Sequence, residues 1–195
     1  MKRVLRSHLI VGLVATVVVL LFGASLATAA TAQQQREERR TCAGREGIEV
    51  GLENLAGRVT VEGTDGNDIE IVATIHAADG DRADALTLLG LLDIEFDERG
   101  DEIRVRVNYP VERFDKYRYP HGGSGSHNTT YQQERVTVTS RNDDDAVTLY
   151  VDFVIRVLVG VSADIENNVG DVSASSMRGD FTADTGSGSV RIRGS

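Results

Sequence analysis

The sequence predicts an all-β fold, a β-solenoid resembling a β-helix, with one short helix near residues 81–92. Three observations carry that expectation. Apolar and polar residues alternate through much of the chain after residue 47. Glycine recurs every nine residues at Gly170, Gly179 and Gly188, and apolar residues follow each at the second and fourth positions. Only one segment shows helical spacing of its apolar residues.

The chain opens with Lys2, Arg3 and Arg6 and no acid, and the 19 residues from Leu9 to Ala27 carry no charge. A basic n-region before an apolar h-region is the pattern of a secretory signal. Ala27-Thr28-Ala29 and Ala30-Thr31-Ala32 both offer small residues at the spacing signal peptidase reads, so residues 1–32 are expected to be a cleaved signal peptide. The alternative is an uncleaved N-terminal anchor, because the apolar stretch nearly reaches the roughly 20 residues that span a bilayer. Membrane contact is expected only through residues 9–27, in that uncleaved form. Both readings deliver the remainder outside the cytoplasm, to the periplasm, the cell surface or the medium.

Cleavage after Ala29 takes away Lys2, Arg3 and Arg6 and no acid, so the net charge moves from −9 to −12. A surface this acidic disfavours nucleic acid and anionic lipid as partners. Cys42 is the only cysteine, which excludes an intramolecular disulfide. Residues 33–47 are polar and charged without an apolar period, and read as a linker to a domain spanning residues 48–195.

Within that domain Ile48 and Val50, then Val59 and Val61, then Ile69, Ile71 and Ala73 alternate between turns at Gly57 and Thr64-Asp65-Gly66-Asn67. Ala85, Leu88, Leu89 and Leu92 then fall at helical spacing. Strands resume with Ile94 and Phe96, with Ile103, Val105 and Val107, and with Val136 and Val138. The run from Ala146 to Val161 is dense enough in Val, Leu, Ile and Phe to predict a strand covered on both faces. In the repeat that follows, Val172 and Ala174, Phe181 and Ala183, and Val190 and Ile192 are expected to point inward from equivalent glycine corners. Gly57, Val59 and Val61 carry the same local pattern. Nine residues cannot close a coil, so two or more units per rung are expected. A meander or sandwich of regular hairpins is the competing arrangement.

The stretches Leu55-Ala56-Gly57-Arg58-Val59-Thr60-Val61-Glu62-Gly63 and VDFVIRVLVGVSADIENNVGDVSASSMRGDFTADTGSGSVRIRGS, from Val151 to Ser195, resemble the bacterial putative-adhesin family of exported β-solenoids. The resemblance implies an extracytoplasmic, non-enzymatic, adhesin-like domain, and it brings no catalytic residue with it. The repeat is still running at Ser195, so the last strand is expected to lack a successor unless a longer chain, another copy or a partner adds one.

No segment assembles a catalytic or cofactor site. His121 and His127 share the loop HGGSGSH, which holds no Cys, Asp or Glu to complete a zinc set. Asp143, Asp144 and Asp145 lack the glycine and distal glutamate of a calcium loop. Arg178-Gly179-Asp180 matches a receptor-binding tripeptide, yet the repeat already accounts for it. Glu166, Asp171, Asp180 and Asp184 are the carboxylates open to a polysaccharide-cleaving enzyme, but they sit at or near corners, where acids commonly serve turns. No cofactor and no metal are expected.

The richest segment for binding is the insertion at about residues 109–134, which holds Tyr109, Phe114, Tyr117, Tyr119 and Tyr131 interleaved with Arg113, Lys116 and Arg118. Tyr117, Arg118, Tyr119 and Tyr131 are the candidate contact surface, since aromatic and basic side chains offer large contact area at low entropic cost. The competing role for these rings is an apolar cap over an end of the solenoid. The expected function is a binding or adhesin-like module for a cell-surface glycan or an envelope protein. A polysaccharide-acting enzyme and an envelope sensor on an uncleaved anchor are the alternatives.

Overall fold

The computed structural model describes residues 33–45, 47–80, 83–123 and 125–194. The expected signal or anchor and both cleavage sites fall outside the described residues. Among the described residues no helix is long and apolar enough to cross a membrane.

Where a polar linker is expected at 33–47, the chain instead forms an 11-residue strand, β1 (Gln33–Ala43). β2 (Glu49–Ala56), β3 (Val59–Thr64) and β4 (Asp68–Ala78) follow, separated by the predicted turns. β1 pairs antiparallel with β4 along its whole length, from Gln33 opposite Ala78 to Ala43 opposite Asp68. It is an edge strand with only Cys42 buried, so backbone pairing and ion pairs hold it rather than an apolar face. Arg39 pairs with Glu70 and Glu37, while Arg36 donates to the carbonyls of Leu89 at 2.7 Å and Leu92 at 2.9 Å.

The predicted helix is α1 (Ala85–Leu91), narrower than the expected segment. Asp84 caps it by accepting from the Thr87 N–H at 2.8 Å and the Thr87 hydroxyl at 2.7 Å. Ala85, Leu88 and Leu89 are buried, as the spacing predicts. Next come β5 (Asp93–Arg99), β6 (Glu102–Asn108), β7 (Lys116–Arg118), β8 (Ser126–Tyr131) and β9 (Glu134–Thr139). β10 (Val147–Leu158) is the long strand; one face is fully buried, while on the other Tyr150 is buried and Thr148, Asp152, Val154, Arg156 and Leu158 are half-buried, so the expected cover on both faces is only partial. β11 (Ser162–Val169), β12 (Val172–Ser175), β13 (Phe181–Asp184) and β14 (Val190–Arg193) complete the described chain.

The described strands form two sheets. One is ordered β14-β12-β3-β10-β7-β9-β8, with β4 on β10 and β1 on β4, and it curls into half a barrel. The other is ordered β13-β11-β2-β6-β5. Side chains such as Val50, Leu55, Ile71, Ile155 and Ile165 are fully buried in the core. Burying each contributes roughly 1.5–3 kcal/mol.

The architecture is predominantly β, but parallel stacking is only part of it. β2–β3, β11–β12 and β13–β14 are three strand-corner-strand units laid on one another in parallel register. Val59, Val172 and Val190 form one column and Val50, Ala163 and Phe181 another. The pairs β1/β4, β4/β10, β5/β6 and β8/β9 are antiparallel, so an uninterrupted coil is not what the chain builds. Nor are the three predicted glycines equivalent. Gly57, Gly170 and Gly188 share one corner column, whereas Gly179 lies at a different corner, against Val161. Two nine-residue units are needed to return to the same place in the stack, which is why Gly170 and Gly188 align and Gly179 does not.

At the shared corner each unit sends a side chain to the neighbouring level of the stack, which is β10 for the first unit and the preceding unit for the other two. Asn54 donates to the Val151 carbonyl at 3.1 Å, Asn167 to the Gly57 carbonyl at 2.9 Å and Thr185 to the Gly170 carbonyl at 3.1 Å. Each donor stands three residues before its corner glycine.

Candidate binding groove

The tyrosines of the expected contact surface are core residues. Tyr117, Tyr119 and Tyr131 are 0%, 2% and 2% exposed, so their rings are not available to a partner. Tyr109 packs edge-on against Tyr117 at 5.4 Å and against Tyr131 at 5.8 Å, and Tyr119 packs on Tyr150 at 5.1 Å. The Tyr131 hydroxyl donates to the Val107 carbonyl at 2.7 Å. Arg118 is only half-buried. These rings sit inside because β7, β8 and β9 extend the curled sheet and turn their apolar faces toward β2 and β6. The competing role, an apolar cover, is the one their burial supports.

Burial also pushes the phenols up: Tyr119 to about 12, and Tyr109, Tyr117 and Tyr131 further. None of them is a phenolate base at neutral pH. Among the described residues, the four carboxyls with a displaced proton affinity are all displaced downward. Arginine or hydroxyl hydrogen bonds do this at Glu70, Asp84 and Asp171. At Asp152 burial pushes up, but hydrogen bonds from His76 and the Arg58 N–H outweigh it. A general acid needs the opposite displacement. Asp171 accepts from the Ser189 N–H at 3.0 Å and the Ser189 hydroxyl at 2.7 Å, a corner tie. Glu166 and Asp184 are register neighbours on β11 and β13, and the Asp180 carbonyl accepts the Ala163 N–H at 2.9 Å.

The histidines of the glycine-rich loop have separate neighbours. His121 packs on the rings of Tyr119 and Tyr150, while His127 lies where a side chain at Gly186 would meet it at 2.6 Å. Lys116 bridges Asp143 at 3.5 Å and Asp145 at 3.4 Å, so that acidic turn is tied to β7. Gly179 of the tripeptide is a corner glycine: a Cβ there would sit 2.2 Å from the Val161 carbonyl oxygen.

The segment at about residues 109–134 nevertheless helps to frame a groove of about 870 Å³. Leu91, Pro110 and Val111 supply apolar lining, and Asn108, Gln132 and Gln133 supply amides. Glu53 and Arg106, also in the wall, pair at 2.9 Å. Tyr109 forms part of the same wall, its hydroxyl held within 3.2 Å of Asn54 Oδ1 and 3.1 Å of the Ala56 carbonyl. The acids Glu53, Glu112 and Glu134 exceed the cations Arg106 and Arg113, so the groove does not favour an anion. A smaller concavity of about 380 Å³ lies among Glu95, Asp97, Arg99, Glu102, Arg104 and Arg106. Side-chain ion pairs such as Arg99–Asp97 at 2.9 Å make its walls, which leaves little fixed shape.

The rim of the larger groove is strained. Gln132 and Gln133 connect β8 to β9 as a two-residue turn, with φ of 50° and 70°. Glycine or asparagine suits such a turn, and a side chain held there in the left-handed region costs about 1 kcal/mol. The Gln132 amide donates to Asn108 Oδ1 at 2.8 Å across the rim. Neither glutamine stands out in composition. The signal for them was weak: β8 before the turn is polar and writes no apolar alternation, and no glycine or asparagine marks the turn.

No family model and no curated protein matches the chain. Several solved structures are similar. One from Bacteroides fragilis, named a putative adhesin, shares 13% identity at a TM-score of 0.34, over 80% of this chain and 52% of its own. One from Clostridium sporogenes, named a putative cell adhesion protein, shares 8% identity at a TM-score of 0.32, over 83% of this chain and 100% of its own. One from Parabacteroides merdae, also named a putative adhesin, shares 9% identity at a TM-score of 0.27, over 72% of this chain and 44% of its own. The chain thus spans about half the length of the first of these and less of the third. At such identities and TM-scores the likeness assigns no function, and the groove is argued from its own residues.

Proposed function

We propose that the chain is an exported, non-enzymatic binding module that holds a neutral surface saccharide in the groove beside the Gln132-Gln133 turn. The observation that carries this reading is the strained pair of glutamines at the rim. Strain of this kind persists where the side chains are needed, and it clusters at ligand clamps. Planar amides beside an apolar floor suit a polyol, whose hydroxyls both donate and accept and whose ring faces are apolar. Export rests on the basic n-region and the apolar run that follows it. In this reading the three stacked units are rungs of a short β-solenoid, and the segment at about 109–134 is an insertion on that scaffold.

The test is a double substitution, Gln132→Gly with Gln133→Gly, which relieves the strain and removes both amide arms. The variant is expected to melt several degrees higher, since about 1 kcal/mol moves Tm by roughly 2–4 °C in a domain of this size. On a panel of neutral and charged oligosaccharides, the unaltered chain is expected to bind neutral members and the variant to lose at least about ten-fold in affinity. Failure of the unaltered chain to bind any neutral saccharide, or full retention of binding by the variant, would overturn the reading.

A further inference from the structure

Two buried tyrosines fix where the amides of the groove stand. Asn108 ends β6 between Val107 and Tyr109, both of them buried. The Tyr109 hydroxyl is held between Asn54 Oδ1 and the Ala56 carbonyl, and the Val107 carbonyl accepts from the Tyr131 hydroxyl at 2.7 Å. Tyr131 immediately precedes Gln132, so the bond that ties Tyr131 to Val107 also sets Gln132 beside Asn108. The rings of Tyr109 and Tyr131 meet edge-on at 5.8 Å, which joins both anchors in one core. The half-buried amide pair that results is closed by the Gln132 Nε2 bond to Asn108 Oδ1 at 2.8 Å.

That bond uses a donor of one amide and the acceptor of the other. Among the described residues, Asn108 Nδ2 and Gln132 Oε1 make no hydrogen bond, so the pair presents one free donor and one free acceptor to the groove. Accepting at Oδ1 polarises the Asn108 amide and strengthens Nδ2 as a donor. Because a strand end and a fixed turn hold the two side chains together, little ordering remains to be done when a ligand arrives. Leu91, Pro110 and Val111 offer apolar surface beside them, and the charges of Glu53 and Arg106 neutralise one another at 2.9 Å.

We propose that Asn108 and Gln132 are the specificity determinant of the groove and together read a vicinal diol on a pyranose ring. This rests on the groove holding a neutral saccharide. Asn108 Nδ2 donates to one hydroxyl and Gln132 Oε1 accepts from its neighbour, while the C–H face of the ring lies on Leu91, Pro110 and Val111. Neighbouring hydroxyls on adjacent carbons project toward the same wall and can each donate or accept. An acetamido group matches less well, because its trans amide points N–H and carbonyl in opposite directions and meets only one of the two from a single wall.

The experiment is NMR titration of the chain with the methyl pyranosides of glucose, mannose and galactose, following the side-chain amide signals of Asn108 and Gln132. The methyl group blocks the anomeric hydroxyl, so position 3 belongs to every remaining vicinal pair. The tightest-bound sugar is expected to lose about ten-fold in affinity as its 3-deoxy form and in at least one of its 2-deoxy and 4-deoxy forms. Its 6-deoxy form, which keeps both vicinal pairs, is expected to change by less than about two-fold. Asn108→Ala, with folding checked by circular dichroism, is expected to bind parent and deoxy forms within about two-fold of one another. Binding by none of the three sugars would overturn this proposal together with the saccharide reading. Deoxy forms that match the parent, a loss confined to position 3, or discrimination that survives in Asn108→Ala would overturn this proposal and leave the saccharide reading standing.

Discussion

Asn167 stacks on Asn54 in register between β11 and β2, and its Oδ1 accepts the Asn54 amide at 3.0 Å, with both side chains 0–1% exposed. Through the Gly57 and Val151 carbonyls the pair fastens three successive levels of the corner. Asn167→Ala leaves the Gly57 carbonyl and the Asn54 amide buried and short of a partner, which costs about 2–4 kcal/mol. Urea unfolding is expected to show that loss, with a change below about 0.5 kcal/mol for the exposed control Thr182→Ala. Thr185→Val, which removes one donor from the outermost level, is expected to cost about 1 kcal/mol.

Gly170 has φ of 130°, and a Cβ on it would stand 1.8 Å from the Gly57 carbonyl oxygen. Gly170→Ala therefore forces both backbone levels apart. A loss above about 4 kcal/mol is expected, visible as a fall in Tm of roughly 10 °C or more. Gly51 has open space where its Cβ would stand, and Gly51→Ala is expected to leave Tm unchanged or slightly raised.

Tyr117 buries a hydroxyl with no hydrogen-bond partner among the described residues, whereas Tyr131 donates to the Val107 carbonyl at 2.7 Å. Removing an unpartnered buried hydroxyl lifts a desolvation cost; removing a partnered one strands a carbonyl. Tyr117→Phe is expected to be neutral or to stabilise by up to about 1 kcal/mol, and Tyr131→Phe to destabilise by about 1–2 kcal/mol. Replacing Tyr117 and Tyr119 together by alanine is expected to unfold the chain at moderate temperature, since each truncation costs about 3–5 kcal/mol. Thermal melts of the three variants check all of this.

Asp152 faces His76 at 3.2 Å and the Arg58 N–H at 2.7 Å, and these contacts hold its carboxyl below the usual range against the upward push of burial. The folded chain therefore releases this proton more readily than the unfolded chain. The stability this contributes is present above the unfolded value near 3.9 and is lost as pH falls through the lower folded one. Urea midpoints are expected to drop as pH falls below about 4, and to drop less steeply in Asp152→Asn. An unchanged acid slope in that variant would assign the loss to other carboxyls, Glu70 and Asp171 first.

The β character, the place of the helix and the glycine rhythm are legible in the order of the residues alone. Each of these is a local property: alternation marks a strand with one buried face, and i to i+4 spacing marks a helix. Residues 33–43 escaped that logic because β1 has no buried face to write a pattern, and only its backbone contact with β4 makes it a strand. The corner donors Asn54, Asn167 and Thr185 were written three residues before Gly57, Gly170 and Gly188, but their role depends on which units stack. Period alone could not distinguish nine residues from eighteen, so it took the parallel register to separate Gly179 from Gly170 and Gly188. The tertiary structure also decided the fate of Tyr117, Tyr119 and Tyr131, since an aromatic ring in a polar segment can face a partner or a core. The curl of the larger sheet turned those rings inward and left Gln132 and Gln133 at the rim of the groove.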